Sequence, residues 1–324
     1  MRDQIIGLIL VLLFVVGWGD CAKAQDPQFS QFYANPLYLN PAFAGTGNCP
    51  RINMNYRNQW PGITGTFVTH SASYDQHVDA LSGGIGLIVT NDKAGEGTLN
   101  TTNVSAIYSY QLPVTRTLSI KAGFQGTYLQ KRIDWSKLTW GDEIDPRRGF
   151  IYQTNQVPID QGINALDFSA GLLAFSKTYY FGMAVHHINE PNESLVVGPS
   201  PLPKKFTFHG GVVIPAGGRS EDANISPNIL YMVQQNFHQL FLGLYATKGP
   251  MVGGIWYRHT RTNPDAMIVL LGVEQGVFKF GYSYDVTVSK LGVKTWGAHE
   301  LSLGLQFYCK PKKKKFRTIS CPSF

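Results

Sequence analysis

The sequence predicts an all-β protein, a transmembrane antiparallel barrel of about 14 strands closed by an N-terminal plug segment. Three observations carry this. A cleavable-looking leader opens the chain. Behind it, segment after segment alternates apolar or aromatic residues with Gly, Ser and Asn. Short and long connections alternate between these segments, which places the long ones on one side. The composition agrees: 13% of the 324 residues are aromatic, only 15% are charged, and 34 are Gly. An apolar share of 44% argues against disorder. Past the leader, no apolar run reaches the roughly 18 residues of a membrane helix. A mean hydropathy of −0.09 suits a barrel with a wet inner face. Soluble sandwiches alternate too. The leader, the aromatic strand ends, the even strand count and the one-sided loops favour the barrel, where closure leaves no unpaired edge.

The leader, 1–24, reads as a signal peptide. Arg2 supplies a basic start, Ile5–Val16 an apolar core, and Ala22-Lys23-Ala24 a cleavage pattern that leaves Gln25 first. A lipid anchor on Cys21 is the weaker reading, because Asp20 stands where a small residue is expected. Both readings export the chain to a compartment where disulfides form.

The region 25–50 follows, and its core is Gln25–Gly45. It is aromatic and punctuated by proline, with Asp26 as its one charge. No strand or helix period runs through it. Asn35 precedes Pro36 and Asn40 precedes Pro41, so both asparagines read as turn points. A segment this apolar must rest on something. The expectation is that it caps or enters the lumen, packing Phe29, Phe32, Tyr33, Leu37, Tyr38 and Phe43 on the inner wall.

The barrel is expected over 51–308. Its strands read as Arg51–Gln59, Thr66–Asp75, Gly83–Asn91, Thr101–Gln111, Thr117–Asp134, Asn164–Ser176 and Tyr179–His186, then Phe206–Ile214, Ile225–Gln234, Asn236–Tyr245, Val252–His259, Asp265–Glu274, Phe278–Val286 and Glu300–Tyr308. Phe278, Phe280, Tyr282 and Tyr284 point one way; Lys279, Gly281, Ser283 and Asp285 point the other. Throughout, the apolar face meets lipid and the Gly, Ser and Asn face lines the lumen. Trp135–Asp160 and Asn189–Lys205 are long polar loops. An even strand number puts both termini at the periplasmic end.

The tail, 309–324, holds Lys310, Lys312, Lys313, Lys314, Lys315 and Arg317, six of the seven net positive charges. The body is nearly neutral, so the high pI does not indicate nucleic acid. The tail reads either as a solvated extension attracted to anionic lipid or as a periplasmic docking peptide. In the second reading Phe316, Ile319 and Phe324 anchor it among the lysines. Three exported cysteines allow Cys49–Cys309, Cys49–Cys321 or Cys309–Cys321; the last is slightly favoured and the absence of any bond stays open.

Chemistry is sparse. His186 and His187 would face opposite ways, and His70, His77, His209, His238, His259 and His299 have no ligand spacing. Asp142, Glu143 and Asp145 lack the glycine pattern of a dedicated calcium loop. No nucleophile elbow, phosphate loop or Cys-x-x-Cys pair occurs. The expectation is a non-enzyme without cofactor or metal.

Four stretches carry a resemblance. Asp26–Gly45, DPQFSQFYANPLYLNPAFAG, resembles the N-terminal motif of the PorP/SprF family; its marked positions are Asp26, Pro27, Phe29, Phe32, Tyr33, Asn35, Pro36, Leu37, Tyr38, Asn40, Pro41, Phe43 and Gly45. NYRNQWPG at Asn55–Gly62, FGYSYD at Phe280–Asp285 and HELSLGLQF at His299–Phe307 are further matches. The resemblance implies an outer-membrane protein of the type IX secretion system of Bacteroidetes, with a barrel of the fatty-acid-transporter type. It implies, as partners besides outer-membrane lipid, a periplasmic ring lipoprotein complex and a peptidoglycan-associated protein, or else a secreted adhesin such as one used in gliding motility. The alternative is an outer-membrane channel or transporter of hydrophobic small molecules.

Overall fold

The computed structural model describes residues 26–309, apart from 48, 96–97, 116, 139, 146, 154–161, 196–197, 217–222, 262–263 and 289–294. The expected signal peptide and basic tail, including Cys321, Phe316 and Phe324, lie outside the described residues.

The chain forms a closed antiparallel barrel of 14 strands. The first seven are β1 (Arg51–Gln59), β2 (Phe67–Val78), β3 (Gly83–Ala94), β4 (Leu99–Pro113), β5 (Ser119–Ile133), β6 (Gly162–Phe175) and β7 (Tyr179–His186). The others are β8 (Lys205–Val212), β9 (Ala223–Gln234), β10 (Phe237–Lys248), β11 (Met251–Thr260), β12 (Pro264–Gln275), β13 (Phe278–Thr287) and β14 (Ala298–Gln306). The two-residue strand Ile214–Pro215 continues β8 along β9. Every strand pairs with its sequence neighbours, and β1 closes on β14 from Arg51 opposite Gln306 to Gln59 opposite Ala298.

All fourteen expected strands are present, and several extend further than expected. In β3 and β4 the ladder continues through Asn91–Ala94 opposite Leu99–Thr102. Those polar ends lack the alternation that marked the strand in sequence; backbone pairing and polar side-chain bonds such as Asn91 to Asn100 carry them. One rim bears the connections 60–66, 134–161, 187–204 and 288–297; the other bears 213–222, several tight turns and both ends of the barrel. The described residues of the loop 134–161 include two single-turn 3₁₀ helices and a small hairpin pairing Ile144–Asp145 with Gly149–Phe150.

Leu87, Phe124, Leu166, Phe181, Leu271 and Phe280 are exposed on the outer face, the band expected to meet lipid. The inner face departs from expectation over β9–β12. There Leu230, Phe241, Tyr245, Trp256, Ile268 and Leu270 point inward and are buried, so both faces of these strands are apolar. The reason lies in the lumen, where residues 26–47 cover them.

The disulfide is also a correction. Cys49 bonds Cys309, with their Cα atoms 5.5 Å apart, rather than Cys309 bonding Cys321. Closure explains it: Cys49 leads into β1, Cys309 follows β14, and those strands are neighbours. Non-reducing tryptic mass spectrometry is expected to recover the Cys49 peptide joined to the Cys309 peptide.

Candidate functional site: the lumen and its N-terminal segment

Residues 26–47 run inside the ring of strands. Their fold is set by proline. Pro36 and Pro41 each occupy a first helical position, where a missing N–H costs nothing, giving the single turns Pro36–Leu39 and Pro41–Phe43 after a 3₁₀ turn at Phe32–Ala34. The expectation of no helical period holds only because each turn is too short to show one. Asn40 caps the last turn, accepting from the Ala42 N–H at 2.8 Å.

The expected wall-packing residues lie as follows. Phe29, Phe32, Tyr33, Leu37 and Phe43 are buried, and Tyr38 is partly buried. Phe32 meets Phe241 and Trp256 edge-on, with centroids 4.7 and 5.5 Å away. Tyr33 lies against Tyr180, Tyr245 and Trp256. Phe43 stacks on His209 at 5.2 Å. Tyr38 crosses Phe29 edge-on at 5.1 Å and gives its hydroxyl proton to the Pro27 carbonyl.

Polar groups fix the register at four places. The densest surrounds Ser30 and Gln31. Their backbone N–H groups donate to the two carboxylate oxygens of Glu300, at 2.6 and 3.0 Å. The Ser30 hydroxyl donates to Asp285 at 2.7 Å, and Arg57 donates to that hydroxyl at 2.5 Å. Arg57 also pairs with Asp285 at 3.0 Å and Glu300 at 3.3 Å. Arg258 bridges Asp285 to Asp265. The Gln31 amide is held by Ser283 and Ser302. Buried charges of this kind require such pairing, because desolvation is otherwise too costly.

The second place is the start of the segment. Asp26 accepts from Lys205 at 2.6 Å and meets His187 at 2.9 Å, and His187 meets Asp167 at 2.9 Å. Burial alone would raise the Asp26 carboxyl, but Lys205 and His187 hold it well below 3.8. Burial would lower His187, but the Asp26 charge and the hydrogen bonds from Asp167 and Asp26 raise it to about 9. The sign follows from linkage. The raised histidine adds stability that is complete below its ordinary 6.5 and is lost as pH rises through about 9. The depressed carboxyl adds stability that is present above 3.8 and is lost as pH falls below its folded value. A spin label at Gln28→Cys is therefore expected to stay immobile from about pH 4 to pH 8 and to gain mobility above about pH 9. Equal mobility at pH 7 and pH 10 would contradict the latch.

At the third place, the Asn40 amide reaches the wall itself, donating to the Leu172 and Met183 carbonyls at 3.1 and 3.2 Å. At the fourth, near the other end, Gly45 N–H donates to Asp75 at 2.8 Å, while Lys121 and Ser109 donate to the Ala44 carbonyl at 2.5 and 2.7 Å. Gly45 has φ +67° and lies where a Cβ would be 2.6 Å from the Gly84 backbone, so glycine is required there.

Arg57, Asp285, Glu300, Lys205, His187 and Asp75 were not singled out as site residues. The signal was present in a form that residue chemistry could not use. Ser30 and Gln31, Arg57, Asp285 and Glu300 each lie in one of the four stretches that carry the family resemblance, and the barrel brings all four stretches together. Asp142, Glu143 and Asp145, which lack a calcium-loop pattern in the sequence, serve the loop itself. Glu143 caps the Trp140 N–H at 2.9 Å, and Asp145 accepts from Arg147 and Arg148 N–H. Among the described residues no group of three or more His, Cys, Asp or Glu could hold a metal.

Above the segment, toward the long-loop rim, a cavity of about 480 Å³ remains, walled by polar residues such as Thr69, Asn103, Gln125, Thr127 and Lys131. Lys131 pairs there with Glu193 from the loop 187–204 at 2.8 Å.

A family model described as type IX secretion system membrane protein PorP/SprF matches residues 21–305. No protein of curated function matches the sequence. Among solved structures, the chain is similar to the toluene transporter TbuX of Ralstonia pickettii, at 10% identity and TM-score 0.48, over 84% of this chain and 93% of that one. It is similar to the CymD monoaromatic hydrocarbon channel, at 11% identity and TM-score 0.47, over 91% and 97%. It is also similar to a FadL homologue of Pseudomonas aeruginosa, at 10% identity and TM-score 0.47, over 83% and 93%.

Proposed function

Because the chain belongs to the PorP/SprF family of type IX secretion system membrane proteins, and is an outer-membrane β-barrel, we propose that it serves that system as a closed, non-enzymatic scaffold and not as a conduit. The observation that supports this reading is that residues 26–47 lie across the lumen, with wall contacts from β1 around to β14. They act as a plug. A barrel of this size is also too narrow for folded cargo, since even barrels of roughly 16–18 strands leave only a small channel.

In this reading the barrel fixes a position in the membrane. The loops 134–161 and 187–204 face cargo or partners outside. The rim with Cys49 and Cys309 faces the periplasm, where the region 309–324 docks through Lys312, Lys313, Lys314, Lys315, Phe316, Arg317 and Phe324. The partners proposed there are the ring lipoprotein complex and the peptidoglycan-associated protein. A secreted adhesin is the partner on the outer side if the protein serves one cargo.

Two experiments test it. In a planar bilayer the intact protein is expected to be closed, and a variant lacking residues 26–45 to conduct; steady conductance of the intact protein overturns the closed scaffold. Deleting Lys310–Phe324 is expected to stop type IX secretion while the barrel still assembles. Unchanged secretion and assembly would remove the docking role.

A further inference from the structure

At the long-loop end of the barrel, the outer face carries one arrangement repeatedly. The Tyr231 hydroxyl lies 2.9 Å from His238 Nδ1, Tyr257 lies 3.3 Å from His259 Nδ1, and Tyr282 lies 2.9 Å from His299 Nδ1. Tyr56 meets His70 with ring centroids 5.1 Å apart. These are the four outward-facing histidines among the described residues, and each lies against a tyrosine. Each sits within about one turn of the ladder from the long-loop rim: His70 near the start of β2, His238 near the start of β10, His259 near the end of β11, His299 near the start of β14.

The level and the face identify the surroundings. Below each pair the outward residues are apolar: Ile229, Leu242, Ile255, Phe280 and Leu303 are all exposed. The pairs therefore sit where the hydrocarbon band ends and head groups begin, the position of the aromatic girdle in such barrels. Tyrosine alone suffices for a girdle; the imidazoles add something further. With the phenol donating to Nδ1 at His238, His259 and His299, the ring keeps an N–H at Nε2 on the outward face of its strand. Arg261, exposed in the turn after His259, adds a cation. The nearby carboxylate of Asp265, at the start of β12, is engaged by Arg258 at 2.5 Å.

The other half of the barrel differs at this level. There Asn91 donates to Asn100 and Thr102 at 2.7 and 2.8 Å, and Tyr128 and Gln130 both donate to Asn164. Those polar groups satisfy one another. The Tyr–His half, β9–β14 with β1 and β2, presents donors instead.

We propose that this arc binds the phosphate groups of phosphorylated glycolipid of the lipid A type in the outer leaflet. The chemistry is complementary: a row of N–H donors and a cation at head-group depth, facing an acceptor-rich anion held by its acyl chains against the apolar band. The arc would give the barrel a preferred lipid-facing side. The leaflet assignment rests on the placement of the termini in the periplasm, proposed above. The lipid measurement is independent of conductance and secretion, so failure here leaves those outcomes standing.

The test is native mass spectrometry of the full-length protein from nanodiscs of phosphatidylcholine doped with one probe lipid. The probes are bis-phosphorylated lipid A, the same lipid with its phosphates removed, and phosphatidylglycerol. Lipid A is expected to be retained at least about tenfold more than its dephosphorylated form, a difference expected of charge-assisted hydrogen bonds at several sites. The triple variant His238→Gln, His259→Gln, His299→Gln is expected to lose that preference while keeping its tyrosines; migration as a compact, heat-modifiable band checks its fold. Equal retention of the dephosphorylated lipid by the wild type overturns the proposal without reference to any variant. So does equal retention of phosphatidylglycerol, or an undiminished preference in the folded triple variant.

Discussion

Arg57→Ala is expected to destabilise the protein by about 3–5 kcal/mol, the range found when one partner of a buried ion pair is removed. Arg57 is almost fully buried and lies between Asp285 and Glu300, which are as deeply buried. Taking the guanidinium away leaves Asp285 with Arg258 and strands the Glu300 carboxylate with only two backbone N–H donors, Ser30 and Gln31. The loss is therefore larger than that of a hydrogen bond, because the remaining charge keeps its desolvation penalty. Urea unfolding in detergent micelles, followed by tryptophan fluorescence, reads it directly. A loss below about 1 kcal/mol would mean that the site is solvated like a surface pair. A second variant separates the charge from the contact. Combining Arg57→Ala with Glu300→Gln removes the stranded carboxylate, and an amide can still accept from one of the two N–H groups. The pair is expected to recover part of the loss, so the two substitutions should be non-additive, as expected for groups in contact.

The barrel was legible because its signals are local and repeated. The alternation in Phe278–Asp285 and in Glu300–Phe307 reports which side chains face lipid without reference to any partner. The lumen was legible only in part. The aromatic segment announced that it needed a surface, but the surface comes from strands far away in sequence. Arg57 and Glu300 lie at opposite ends of the chain, and only closure of β1 on β14 makes them a pair. Likewise Trp256 and Leu230 add apolar side chains to strands already apolar on the other face, and the distant N-terminal segment is what covers them. The disulfide differs: Cys49–Cys309 was among the three pairings the sequence left open, and closure of β1 on β14 selects it across a separation of 260 residues. Glycine carries more than its sequence pattern discloses. In the sequence it marks strands loosely, whereas in the barrel several glycines mark the track where the segment touches the wall.

That track yields the second large effect. Gly123→Leu is expected to drive the N-terminal segment from its seat and open the lumen to ions. Gly123 in β5 faces Gly171 in β6 across the ladder. A Cβ at Gly123 would stand 2.4 Å from both the Ala42 nitrogen and the Pro41 carbonyl carbon. Those are backbone atoms between a proline and a capped turn, so they cannot swing aside as a side chain can. A Cβ at Gly171 would stand 2.0 Å from the Asn40 side-chain oxygen, the same oxygen that accepts from Ala42 N–H. Overpacking of this kind costs about 1–3 kcal/mol where the surroundings adjust, and here the adjustment available is withdrawal of the segment. The strand ladders need no glycine at either position, so the barrel is expected to keep its compact, heat-modifiable band. Single-channel recording reads the outcome: no conductance for the native protein, conductance for Gly123→Leu, and no conductance for Gly253→Leu, where an added Cβ meets nothing within 4 Å. A closed Gly123→Leu barrel would show that the segment can shift along the wall without leaving it. Its hold would then rest on the Arg57 cluster and the Asp26 latch rather than on the fit of backbone to glycine.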